Sequence, residues 1–150
     1  MKLNWISKWC LLAAGLFTCA LGSRAAEGKW LTDYQQALTQ AKQENKRVLI
    51  DFTGSDWCGW CIKFDKEVYS QQSFVDYADK NLVLLKLDFP QRKPLPAAQR
   101  EANDKLARQY QVSGFPTTVV LDSAGKQLGK LVGYQAGGPQ AFIAKLEKLK

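Results

Sequence analysis

Apolar positions along this chain switch between helical and strand spacing, and the switches divide it into elements. Tyr34, Ala37, Leu38 and Ala41 recur at i, i+3, i+4 and i+7, one buried face of a helix. Thr32-Asp33-Tyr34-Gln35 reads as its capping box, with Thr32 as the cap. That helix is expected to end near Asn45. Val48 to Phe52 is a short apolar run of strand length, closed by the turn signal Thr53-Gly54-Ser55. A helix beginning near Cys58 carries Ile62, Phe64, Val68 and Tyr69, and Gln72 to Lys80 suits another helical turn or two. Leu82 to Leu87, broken only by Lys86, fits a strand covered on both faces. Phe89 to Pro96 holds three prolines and is a loop. Ala98, Ala102, Leu106 and Tyr110 place one face of a helix over Ala97 to Tyr110. Thr117 to Leu121, a turn at Ser123 to Lys126, and Gln127 to Tyr134 make a β-hairpin. Gly137-Gly138-Pro139 opens a last helix with Pro139 in its first position and Phe142, Ile143, Leu146 and Leu149 on its apolar face.

The first two strands are separated by helix and should be parallel, whereas the last two are antiparallel. The expected fold class is therefore α/β, a central mixed β-sheet flanked by helices. The chain has 150 residues, enough for one domain with its own core.

The N-terminus changes the accounting. Lys2 and Lys8 precede the apolar run Trp9 to Leu21, and small residues follow from Gly22 to Ala26. This is the layout of a secretory signal peptide over residues 1–25, cut after Ala25, and the domain is then 26–150. The run is too short to span a bilayer as a helix. An uncleaved N-terminal anchor is one alternative. A lipoprotein is another, on the loose lipobox Leu16-Phe17-Thr18-Cys19. Cleavage removes Lys2, Lys8 and Arg24, so Lys+Arg falls from 21 to 18 against 14 acids and the net charge from +7 to +4. No dense basic cluster with interleaved aromatics points to nucleic acid. Cleavage also removes Cys10 and Cys19, which leaves Cys58 and Cys61 as the only thiols. The chain has no histidine, which excludes His-based dyads and the commonest zinc ligand.

A strand that turns into a helix on a cysteine is chemically loaded. The helix N-terminus offers partial positive charge and free amides to a thiolate, the nucleophile of disulfide exchange. Cys58 would sit there and attack; Cys61, one turn deeper, would resolve the mixed disulfide. Three plainer readings compete: a structural disulfide, a metal site, and chance spacing. A four-residue loop is a poor staple, and two thiolates are too few for a closed zinc site.

Asp51-Phe52, Trp57-Cys58-Gly59-Trp60-Cys61 and Gly114-Phe115-Pro116-Thr117 together resemble the thioredoxin superfamily, over about Trp30 to Lys150. The nearer likeness is to exported bacterial thioredoxin-like proteins with a Gly54-to-Cys61 stretch of this kind. The resemblance implies the thioredoxin fold and a cis Pro116 facing the dithiol, with Phe115 offering its backbone to an extended substrate. It implies that Asp51 is a buried acid assisting proton transfer at Cys61, although one extra residue separates it from the first cysteine. Lys86 looks like the family lysine near that acid, and Gly133 like the glycine that lets substrate approach. Trp57 matches the family; Trp60 stands where a proline is usual, and with Gly59 these residues would border the docking surface. The expected function is thiol–disulfide exchange on protein substrates in the periplasm or outside the cell. The chain would act as a monomer without cofactor or metal, reset by a redox partner such as a membrane reductase. The alternative is a non-catalytic binding module, either a thiol-based metal handler or a chaperone-like adaptor.

Overall fold

Strand β2 (Arg47–Thr53) contains the Val48–Phe52 run and lies at the middle of a five-stranded sheet of order β1 (Trp30–Leu31), β3 (Leu82–Asp88), β2, β4 (Thr117–Leu121), β5 (Gln127–Val132). The computed structural model describes residues 28–150, so the leader, its cleavage after Ala25, and Cys10 and Cys19 lie outside the described residues. β3 (Leu82–Asp88) runs parallel to β2, pairing Asp51 with Lys86. β4 (Thr117–Leu121) runs antiparallel on its other side, pairing Asp51 with Thr118, and β5 (Gln127–Val132) completes the hairpin. The mixed sheet expected from the connections is thus present.

Alternation along β2 divides the interior in two. Val48, Ile50 and Phe52 face a core built with α1 (Tyr34–Glu44) and Leu106 of α4 (Ala97–Gln109). Leu49 faces a second core with α2 (Gly59–Phe64), α3 (Gln72–Asn81) and α5 (Gly138–Glu147). Between α2 and α3 lies a π-helical turn, Asp65–Tyr69. Its wider winding turns the consecutive residues Val68 and Tyr69 both inward. Phe64, Tyr69, Phe74 and Phe142 then pack ring against ring at 4.7 to 6.0 Å. Each such pair adds about 0.5–1.5 kcal/mol beyond its buried area.

Five details differ from the sequence expectations. The cap of α1 is Asp33, whose carboxylate accepts from the Gln36 amide at 2.7 Å, and not Thr32. A carboxylate suits the positive helix end at least as well as a hydroxyl. On α4 Ala98 and Ala102 are exposed, while Asn103 and Leu106 are buried. Asn103 donates to the Asp88 carbonyl at 2.8 Å and accepts from Gln99 at 2.8 Å, which makes its burial tolerable. β5 stops at Val132 because Gly133 turns the chain at φ +79°, and Pro139 is the second residue of α5. The two-residue strand β1 (Trp30–Leu31) was not foreseen; it pairs in parallel with β3.

Candidate active site

The central strand delivers the chain to the dithiol through a single tight turn. The Cys58 amide donates to the Gly54 carbonyl at 2.9 Å. Trp57 closes this turn by packing directly over Gly54, where a Cβ would come within 2.6 Å of the indole. The indole Nε1 of Trp57 donates to the Phe89 carbonyl at 2.7 Å. β2 keeps its register with β3 to Thr53.

Cys58 is the N-cap of α2, and the Cys61 amide donates to its sulfur Sγ at 3.2 Å. The two cysteines form a disulfide with Cα atoms 5.2 Å apart. Both cysteines are buried, Cys58 at 7% exposure and Cys61 at 3%, so Cys58 is the more accessible residue. An amide aimed at Sγ and a helix N-terminus both favour negative charge on Cys58 once the bond opens.

Asp51 lies on the face of β2 that carries Leu49, toward the second core. It is buried, and its Oδ1 has no hydrogen-bond partner. Burial pushes its carboxyl up to about 7; the Lys86 charge opposes the shift, and the Asp65 and Asp88 carboxylates add to it. Tyr69 and Thr118 share a buried hydroxyl–hydroxyl bond of 3.0 Å, with Thr118 opposite Asp51 on β4. Burial and the neighbouring Asp51 raise the Tyr69 phenol well above its usual range, so it stays protonated. A cavity of about 140 Å³ is lined by Cys61, Ile62, Thr53, Ser55, Asp65 and Lys86. Lys86, opposite Asp51 in the pairing and close enough for its charge to act on the acid, has its ion pair with Asp65 at 3.5 Å and covers the Trp30 ring.

The third component is the surface around the sulfurs. Pro116 is buried and its peptide bond with Phe115 is cis, as the resemblance implied. The Phe115 ring packs between Trp57 at 5.8 Å and Phe89 at 5.1 Å, which ties the Pro116 segment to the dithiol turn. The Gly133 amide donates to the Pro116 carbonyl at 2.8 Å, and the space above Gly133 is open, as it is at Gly59. Trp60 projects into solvent and leans on Tyr134 at 5.4 Å, with the Lys63 ammonium over both rings. The Tyr134 hydroxyl is held by Glu67. Trp57, Ile62 and Val132 are also exposed.

Tyr69, Asp65, Trp30 and Tyr134 were missed from the sequence. The adjacent apolar pair Val68-Tyr69 was the one signal, because no regular 3.6-residue period buries two neighbours on one narrow face.

A family model described as a thioredoxin-like domain matches residues 34–150. The chain is 40% identical over 123 residues to the disulfide bond reductase DsbH of Chlamydia pneumoniae, covering 82% of this chain and 73% of that relative. It is 26% identical over 102 residues to the thioredoxin-related protein DsbJ of the same organism, covering 68% of this chain and 29% of DsbJ. A solved structure of a DsbH oxidoreductase superposes with a TM-score of 0.75 at 40% identity, covering 82% of this chain and 84% of that one.

Proposed function

This chain belongs to the thioredoxin-like family and is a thiol–disulfide oxidoreductase, and on that footing we propose that it reduces protein disulfides outside the cytoplasm. The observation that carries the roles is the Cys61 amide directed at the sulfur of the more exposed Cys58. In the reduced protein the Cys58 thiolate attacks one sulfur of a substrate disulfide, and the other substrate sulfur leaves as a thiolate. Cys61 then gives its proton to Asp51 and attacks Cys58 Sγ. The substrate's second sulfur departs, two electrons have passed to the substrate, and the Cys58–Cys61 disulfide remains. An acid raised to about 7 suits this exchange, because it can accept and return a proton near neutral pH.

Substrate docks as an extended segment along the backbone of Phe115 and Pro116, with open space at Gly133 and Gly59. Trp57 and Trp60 supply apolar contact. The likeness to a protein named as a disulfide bond reductase supports the direction of electron flow. Residues 1–25 act as an export signal, the mature chain works as a monomer in the periplasm or beyond, and a membrane reductase resets the dithiol. Among the described residues no helix is long and apolar enough to cross a membrane.

The mature protein is expected to accelerate insulin reduction by dithiothreitol, and Cys58→Ser to abolish the effect. Cys61→Ser is expected to accumulate mixed disulfides, visible on non-reducing electrophoresis. A wild type no faster than background would overturn the reductase reading. So would a dithiol potential near about −120 mV, the range of a disulfide former, in place of about −270 mV.

A further inference from the structure

Lys86 stands opposite Asp51 in the β2–β3 pairing and its charge reaches the acid, yet its ion pair is with another carboxylate. Its Nζ lies 3.5 Å from Asp65 Oδ1 and 4.9 Å from the centre of the Trp30 ring, and it makes no ion pair with Asp51. The Oδ1 of Asp51 meanwhile is buried without a hydrogen-bond partner. Trp30 is fixed in turn by its edge-on contact with Tyr69 at 5.1 Å, and Tyr69 closes the π-helical turn that Asp65 begins.

We propose that Asp65 is a positioning residue: together with Trp30 it holds Lys86 off Asp51, so that the buried carboxyl stays free to take the proton of Cys61. The proposal rests on the proton-acceptor role given above to Asp51. In that step the S–H bond of Cys61 breaks and its proton passes to the carboxylate. The sulfur's electron pair forms the bond to Cys58, and the Cys58–substrate bond breaks with its pair on the leaving sulfur.

The charged and titratable groups around Asp51 are few. Lys86 and Asp88 come from β3, Asp65 and Tyr69 from the π-helical turn. β4 contributes the neutral Thr118, and Cys61 of α2 lines the 140 Å³ cavity together with Asp65 and Lys86. Lys86 is the one cation in this set. Were it to close on Asp51, the carboxylate would be stabilised and become a weak base at neutral pH. A partly exposed pair such as Asp65–Lys86 adds little to stability. Its effect is on where the ammonium points.

The test follows the side-chain carboxyl carbon of Asp51 by NMR through a pH titration of the reduced protein, with Asp51→Asn to assign the signal. Asp65→Asn is expected to lower the Asp51 midpoint by roughly one pH unit, the effect of an approaching ammonium. Asp65→Glu should restore it. The shift should largely vanish when Asp65→Asn is made together with Lys86→Met. An unmoved midpoint would overturn the proposal. Equal lowering with and without Lys86 would also overturn it, because Asp65 would then act through its own charge alone. The proton-acceptor role stands or falls separately: an Asp51→Asn protein that resolves mixed disulfides at the wild-type rate removes that role and leaves the positioning of Lys86 as measured.

Discussion

Replacing Asp51 with Asn should remove a penalty on folding that grows between mildly acidic and neutral pH. In the unfolded chain this carboxyl titrates near 3.8; in the folded protein burial raises it to about 7. Between those values the folded state keeps a proton that the unfolded state has released, so stability falls as pH rises. Below the lower value both states are protonated and there is no penalty; above the higher value both are ionised and the penalty is complete. Each pH unit of difference corresponds to about 1.4 kcal/mol, so the full window costs about 4 kcal/mol. The measurement is urea unfolding of the oxidised wild type and Asp51→Asn at about pH 4 and about pH 8, with the pH-dependent change compared between them. Groups titrating in both proteins cancel in that comparison, and the chain has no histidine to titrate within the window. Wild type should lose about 4 kcal/mol more than the variant. A difference below about 1 kcal/mol would mean that water or a neighbour already solvates the carboxylate, and the burial argument would fail.

Two further substitutions probe the scaffold of the site. Gly54→Ala places a Cβ 2.6 Å from the Trp57 indole and is expected to cost about 1–3 kcal/mol while red-shifting tryptophan fluorescence; an unchanged urea midpoint and spectrum would show that the turn yields freely. Asn103→Leu removes the donor to the Asp88 carbonyl and one of the two acceptors of the Gln99 amide, for an expected loss of about 1–3 kcal/mol in urea unfolding; a neutral outcome would show that packing compensates for the lost bonds.

What could be read in advance follows from how local the cause is. The strand runs at Val48 and Leu82, the hairpin after Pro116, and the cysteine at a helix start are patterns of neighbours in sequence, and they were legible. β1 was not, because two residues carry no period; only the pairing of Trp30 with Leu84 makes them a strand. The buried face of α4 was misjudged because Ala98 looked like core and Asn103 like surface. Asn103 is buried because Asp88, 15 residues away, supplies an acceptor. In the site, Cys58, Cys61, Asp51 and Pro116 lie in short motifs. Tyr69 and Asp65 depend on a π-helical turn that adds a residue to the winding, and Tyr134 reaches Trp60 only through the fold of the whole chain.

The disulfide hangs from the end of β2, the strand with a partner on each side and a core on each face. The sulfurs are thus anchored to the packed middle of the sheet. Folding and reduction therefore close a thermodynamic cycle. Whatever difference exists between the fold stabilities of the reduced and the oxidised protein must reappear as a shift in potential relative to the unfolded chain, about 30 mV for every 1.4 kcal/mol. A substitution anywhere in the two cores that favours one redox form of the fold will retune the electron affinity of the sulfurs without touching them, which lets the whole domain act as a distributed ligand of its own disulfide.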